Sequence, residues 1–186
     1  MQDVEVIVNK RQLRSVEKTL ESIPRALPKV MSRAVNDTAR GARTKIVREL
    51  EKLTGLKQKT VREQVVLKRA SYSHWEANIR IHGKRVPLIR FAARQTKRGV
   101  TARAEGGKGR TLYRHAFIET MPSGQPGVFR RRRTQRLPIA ELTRPGVLAT
   151  MGKAPQLAAR KLDHEIAMKL EKNIDRHVRV ILERKR

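Results

Sequence analysis

Residues 27–55 read LPKVMSRAVNDTARGARTKIVRELEKLTG, and their periodicity decides how the rest of the chain is to be read. Leu27, Val30, Met31, Ala34, Val35, Ala42, Ile46, Val47, Leu50 and Leu53 recur at three- and four-residue steps. That spacing puts apolar side chains on one stripe of a 3.6-residue helix. Lys29, Arg33, Arg40, Arg43, Lys45, Arg48 and Lys52 fill much of the remaining surface. Pro28 suits a first turn, where its missing N–H costs nothing, and Gly55 is placed to stop the helix. The stretch predicts a long helix whose stripe faces a core.

Toward the N-terminus the period changes. Val4, Val6 and Val8 alternate with Glu5, Ile7 and Asn9, which predicts a half-buried strand over 2–9. Leu13, Val16, Leu20 and Ile23 then return to helical spacing before Pro24. In the other direction, 57–64 predicts a short helix with Thr54 as its capping residue. From 65 to 142 the texture is that of strands. Residues 74–81 alternate through Trp75, Ala77, Ile79 and Ile81, and beyond Gly83 the stretch 86–91 predicts a partner strand. Further strands are predicted over 100–104, 112–120 and 128–133, with a glycine loop at 106–109 and a turn-rich link at 121–127. The segment 137–142 reads as a loop crossing the core. Past Pro145 and Gly146, Leu162, Ile166, Leu170, Ile174, Val178 and Leu182 repeat every four residues, with Leu157, Ala158 and Ile181 beside them.

The fold predicted is α+β: N- and C-terminal helices packed on a central, mostly antiparallel β-sheet that carries basic loops and a hairpin arm. The expectation is a single domain over 1–186, with a strand and helices over 1–64, the β region over 65–142 and a C-terminal helix over 147–186.

Composition bounds the function. Lys and Arg number 44 against 17 Asp and Glu, a net charge of +27 in 186 residues. Such self-repulsion points to a polyanionic partner. There is no cysteine, which excludes disulfides, cysteine-ligated metals and thiol nucleophiles together. No run approaches the roughly 18 apolar residues of a membrane span, and the acidic first residues do not read as an export signal.

The charge is localised. Residues 80–145 hold 17 basic and 3 acidic side chains, a net of +14, against +8 for 1–79 and +5 for 146–186. Arg130, Arg131, Arg132, Arg133 and Arg136 form the densest run, and Lys84, Arg85, Arg94, Lys97, Arg98, Arg103, Lys108, Arg110 and Arg114 supply the rest, several in glycine-flanked loops. The run itself with Arg94, Lys97, Arg98, Lys108 and Arg110 makes ten candidate contacts to DNA or another polyanion. Successive strand residues point to opposite faces, so four consecutive arginines cannot share one surface. A strand carrying them is expected at a sheet edge or on a protruding arm, where charge also blocks unwanted pairing. The six aromatics do not interleave with the basic residues as a base-stacking platform requires. Contact is therefore expected to the phosphate backbone, independent of sequence.

Catalytic arrangements fail on spacing. His164-Glu165 opens like a metalloprotease helix, but Met168 stands where the second histidine must be. The stretch 106–111 lacks the first glycine of a phosphate loop. The five histidines are scattered, and Glu105, Glu119 and Glu141 are far apart, unlike the clustered carboxylates of a two-metal nuclease. The reading is a non-enzyme with no catalytic residues, no cofactor and no metal.

One ordered set of segments remains: AVNDTARGARTKIVREL at 34–50, TGLKQKTVR at 54–62, PLIRF at 87–91, GVTAR at 99–103, HAFIETM at 115–121, GVFRR at 127–131 and RLPIAEL at 136–142. A turn at Arg144-Pro145-Gly146-Val147 and a long charged helix close it. Over roughly residues 30–182 this order resembles the minor tail protein Z family of long-tailed bacteriophages, the turn reading Pro-Gly where that family more usually has Gly-Pro. The resemblance implies a structural tail-completion protein at the head-proximal end of the tail, without catalytic residues or cofactor and needed for an infectious virion. It implies partners among the tail terminator, tube, tape-measure and connector proteins, a homo-oligomeric ring, contact with the genomic DNA backbone and no membrane. Its expected place is the virion, reached through the host cytoplasm during assembly. The alternative is a cellular, sequence-independent nucleic-acid-binding protein.

Overall fold

The structure, a computed structural model, describes residues 2–21, 23–104, 109–133, 135–150 and 155–183. In chain order these form β1 (Gln2–Ile7), α1 (Lys10–Thr19), a 3-10 turn, α2 (Leu27–Thr54), α3 (Gln58–Gln64), β2 (Val65–Lys68), β3 (Glu76–Ile81) and β4 (Val86–Pro87). After a second 3-10 turn at Leu88–Phe91 come β5 (Arg94–Thr96), β6 (Gly99–Arg103), β7 (Arg110–Arg114), β8 (Ala116–Thr120) and β9 (Pro126–Arg131). β10 (Ile139–Glu141), β11 (Thr143–Arg144), α4 (Val147–Thr150) and α5 (Pro155–Glu183) complete the chain. The class is α+β, and the strand pairs among the described residues are all antiparallel. The strands do not share one central sheet: the orders are β1-β3-β2, β10-β9-β8, β11-β4 and β5-β6-β7. The chain divides into two compact units, Met1–Ile46 with Val65–Ile81 and Lys153–Arg186, and Val47–Gln64 with His82–Gly152.

In the first unit the sheet β1-β3-β2 turns Val6, Val65, Ala77, Ile79 and Ile81 inward, all nearly inaccessible. Asn9 caps α1 in a reciprocal box: its Oδ1 accepts from the Gln12 N–H at 2.7 Å, and Gln12 Oε1 accepts from the Asn9 N–H at 3.2 Å. The stripe on α2 is buried through Val30, Met31, Ala34, Val35, Ala42 and Ile46, but Leu53, expected to continue it, lies in the last turn of the helix and is 52% exposed. Helix α5 lies antiparallel to it. Asn173 Nδ2 donates to Thr38 Oγ1 at 2.9 Å, Asp37 meets Arg176 and His177 at 2.7 and 2.8 Å, and Lys45 pairs with Glu165. Residue numbers on α5 fall as those on α2 rise. Ala34, Thr38, Gly41 and Ala42 keep the α2 side of this pair small, which permits close approach. Lys45 holds the Glu165 carboxyl below its ordinary titration range, chiefly by hydrogen bonding.

The four-residue series on α5 behaves as helix geometry requires. Four residues overshoot one turn by about 40°, so the series rotates across the face as it proceeds. Ile166, Leu170, Ile174 and Val178 are buried, whereas Leu182 has emerged to 38% exposure. The side chains of Leu157, Ala158 and Leu162 lie outside the described residues. Asn36 joins α2 to the loop before β3: its Nδ2 donates to the Ala70 carbonyl and its Oδ1 accepts from the Ala70 N–H, both at 2.9 Å.

The second unit departs more from the expected strands. Thr54 is the last residue of α2, not the cap of α3; its hydroxyl donates to the Leu50 carbonyl at 2.6 Å and accepts from the Leu56 N–H at 3.3 Å. Residues 86–91 are not a strand paired with β3. Only Val86 and Pro87 are extended, and they pair with β11. The chain then tightens into a 3-10 turn that buries Leu88 and Phe91, three residues apart and so on the same side. The predicted strand over 112–120 is two strands in different sheets, separated by His115 in left-handed backbone at φ 58°. The segment 137–142 holds β10, which covers the side of β9 expected to be free. Gly146 is fixed by proximity, because a Cβ there would stand 2.0 Å from the Lys84 carbonyl oxygen.

Candidate nucleic-acid interface

The ten expected contact residues all belong to the second unit, and Lys108 lies outside the described residues. Arg130 and Arg131 end β9, which is the middle strand of its sheet: Arg130 stands between Ala116 of β8 and Ala140 of β10, and Arg131 is opposite Ile139. The expectation of an edge strand or arm is therefore corrected for these two residues. Arg132 and Arg133 lie past the strand end, with the Arg132 N–H donating to the Pro138 carbonyl at 3.1 Å. Arg136 is exposed in the link to β10. The Arg131 guanidinium sits over the Phe117 ring, 5.5 Å from its centroid, so part of the densest basic run serves packing.

Arg94, Lys97, Arg98 and Arg110 belong to the other sheet. Lys97 and Arg98 form the two-residue turn between β5 and β6. Side chains clamp that turn: Gln95 Nε2 donates to the carbonyls of Thr96 and Gly99 at 3.1 and 3.3 Å, and Thr96 Oγ1 donates to the Gly99 carbonyl at 2.8 Å. Gly99 has φ +141°, and a Cβ there would stand 2.2 Å from the Tyr113 carbonyl oxygen. Only glycine fits this crossing of β6 and β7. Gln95 also ties this sheet to the next, its Oε1 accepting from the Ile118 N–H at 2.8 Å. Arg110 Nε donates to Thr101 Oγ1 at 3.2 Å, and its Nη2 to the carbonyls of Thr101 and Ala92 at 2.8 and 2.7 Å.

Two further arginines, Arg103 and Arg114, sit in the same sheet and were not among the expected contacts. The signal that could have found them is the pairing of 99–103 with 110–114 around a glycine loop, which sets Arg103 opposite Arg110. Arg144 is engaged in structure, 4.7 Å above the Phe91 ring and donating from Nη1 to the Arg103 carbonyl at 2.7 Å.

Among the described residues, no Arg or Lys from 94 to 136 forms an ion pair with a carboxylate. Among the described residues of this unit, the ion pairs lie outside that stretch, Glu63 with Arg90 and Glu49 with Lys52. Beside β9 a cavity of about 460 Å³ is lined by Pro87, Arg90, Met121, Gln125, Phe129 and Glu141 among others. No group of three or more His, Asp or Glu side chains is placed to hold a metal ion among the described residues. None of the described helices is long and apolar enough to cross a membrane.

Neither the curated proteins nor the solved structures contain a match to this chain. The profile of prophage minor tail protein Z, in contrast, matches residues 11–184, nearly the whole length. That span takes in the paired helices of the first unit and every strand of the basic sheets, and by it the chain belongs to the prophage minor tail protein Z family of structural phage tail proteins.

Proposed function

We propose that this phage tail protein completes the tail at its head-proximal end and touches the DNA that passes there through its basic surface. The observation carrying the DNA contact is the set of arginines and lysines from 94 to 136 that has no carboxylate partner among the described residues. Uncompensated charge of one sign is costly to the compact state and is offset by a polyanion. The proposed contacts are Arg94, Lys97, Arg98, Lys108, Arg110, Arg136 and the arginines at 130–133. They would hold phosphates and leave base edges unread, which suits DNA that must slide without a fixed register. Neighbouring tail and neck proteins, namely terminator, tube, tape measure and connector, are the proposed protein partners. A ring of copies is the proposed assembly, since neck components follow the symmetry of the tail they close. Function is then occupancy of a place in the particle, with no bond made or broken.

The test has two parts. Mass spectrometry and labelled electron microscopy of purified virions should find the chain at the tail end that joins the head. Finding it at the distal tip, or not at all, would overturn the placement. The purified full chain should bind mixed-sequence duplex DNA with an affinity that falls linearly on a log–log plot against salt. A chain with no affinity for the duplex at low salt would overturn the DNA contact.

A further inference from the structure

Register sorts the arginines of β5, β6 and β7 by face. Arg94 is opposite Thr101, which is opposite Leu112; Thr96 is opposite Gly99, which is opposite Arg114; and Arg103 is opposite Arg110. Directly paired residues share a face, and residues two apart along a strand return to it. Arg94, Arg103, Arg110 and Arg114 therefore stand on one side, and all four are exposed. The other side carries Val100 and Ala102, both fully buried. Density along the chain misleads here. The run at 130–133 is divided, with Arg130 on the side of Val128 and Arg131 on the side of Phe117 and Phe129.

The four arginines differ in how they are held. Arg110 has its Nε–H and both Nη2 hydrogens committed to Thr101 and Ala92, which lays its guanidinium across the middle of the face. Its two Nη1 hydrogens are left for an incoming anion, and the ordering of that side chain is already complete before anything binds. Arg94, Arg103 and Arg114 have no side-chain hydrogen bond or ion pair among the described residues. Arg103 and Arg110 face each other directly, an arrangement that weakens a strand pair unless an anion lies between the charges.

From strand spacing, the face measures on the order of 10 Å by 14 Å. Phosphates of one DNA strand wind around the axis as well as rising 3.4 Å per step, so this is room for about three consecutive ones. No aromatic stands among the arginines, since Tyr113 lies on the Val100 side, so bases have nothing to stack on.

We infer that the exposed face of β5-β6-β7 is the phosphate-docking surface for duplex DNA, with Arg110 as its fixed anchor and Arg94, Arg103 and Arg114 as its reaching contacts. The inference rests on the DNA-contacting reading above and adds two residues to it. The experiment measures binding of the full chain to a labelled, mixed-sequence duplex across a salt series. The triple variant R94Q/R103Q/R114Q should lower the salt slope by about 2.7, at roughly 0.9 for each phosphate no longer neutralised. Replacing all four arginines at 130–133 with glutamine should lower it by less, although it removes more charge. The triple lysine variant should recover most of the slope, and circular dichroism melting of each variant checks folding. A triple glutamine variant that folds and keeps the wild-type slope would overturn this surface and leave the DNA reading standing. A wild-type chain that binds an acidic polypeptide but not the duplex would overturn both.

Discussion

Asp37 in the first unit meets Arg40, Arg176 and His177 at 2.5, 2.7 and 2.8 Å, whereas Arg103 in the second faces Arg110 and, among the described residues, no carboxylate. The two units hold similar numbers of basic residues, 23 and 21, but 11 acidic residues in the first against 6 in the second. In the first unit Asp3, Asp37 and Glu165 each take a cation, two of them across the pair of helices α2 and α5. Exposed pairs of this kind are worth only about 0–1 kcal/mol each. They do not hold that unit together; the buried aliphatic seam of Val30, Ala34, Ile166, Leu170 and Ile174 does. What the pairs do is neutralise charge locally between α2 and α5, within a unit that still carries 23 basic against 11 acidic residues. The sheet β5-β6-β7 has the reverse arrangement, a small buried side and an outer side of unopposed charge. A carboxylate already meets the cations between the two helices, whereas on the sheet face the proposed DNA would supply the anion.

The comparison breaks most easily at Gly99. Replacing it with alanine should cost on the order of 3 kcal/mol, from a strained φ and a Cβ set against the Tyr113 carbonyl. Urea unfolding of the variant would show a lower midpoint, and DNA affinity should fall with it. A midpoint equal to that of the parent would mean that the crossing of β6 and β7 is built differently.

Arginine-to-threonine exchanges in the two units sharpen the contrast by sign. Arg176→Thr removes a partner of Asp37 and should destabilise by up to about 1 kcal/mol. Arg103→Thr removes a like-charge opposition and supplies a residue that favours strands, so it should stabilise by about 0.2–1 kcal/mol. Thermal unfolding of both variants in the same low-salt buffer is the measurement. Shifts of the same sign would remove the distinction drawn between paired and unpaired surfaces.

The smallest effect is a pH dependence confined to the first unit. Because Lys45 lowers the Glu165 titration, the pair contributes stability above the unfolded carboxylate range and loses it as pH falls through the lowered folded value. Glu165→Gln should therefore melt slightly below the parent at neutral pH, and the two curves should converge in acid. A constant gap at every pH would assign the difference to packing alone.

Local patterns were the legible part of the fold. The stripe on α2 up to Leu50, its stop at Gly55 and the rotating series on α5 need only near neighbours, and each stands in the structure as its spacing predicts, whereas Leu53 at the end of the stripe is exposed. Pairing was not legible, because it depends on residues remote in sequence. The partner of Val86–Pro87 is β11, more than fifty residues on, and no alternation within 86–91 could announce it. The candidate site divides the same way. Its charge and its lack of acids can be counted along the chain, but the face cannot. Arg103 and Arg114 are isolated in sequence and join Arg94 and Arg110 only through two registers. Arg130 and Arg131 are adjacent in sequence and end on opposite sides of β9.

His115 separates two frames of alternation, β7 in one sheet and β8 in the next. The arginine side of β7 is thus kept outward by its register with β6, counted from Gly99. Losing or gaining one residue within β6 or β7 would exchange that side for the apolar one, as any single-residue slip does in a strand with one buried face. Substitution, by contrast, leaves the frame intact. Lysine could replace arginine at 94, 103 or 114 without moving a neighbour, whereas an insertion would turn the charges inward and the valine outward. Length, more than residue identity, is what this face cannot vary.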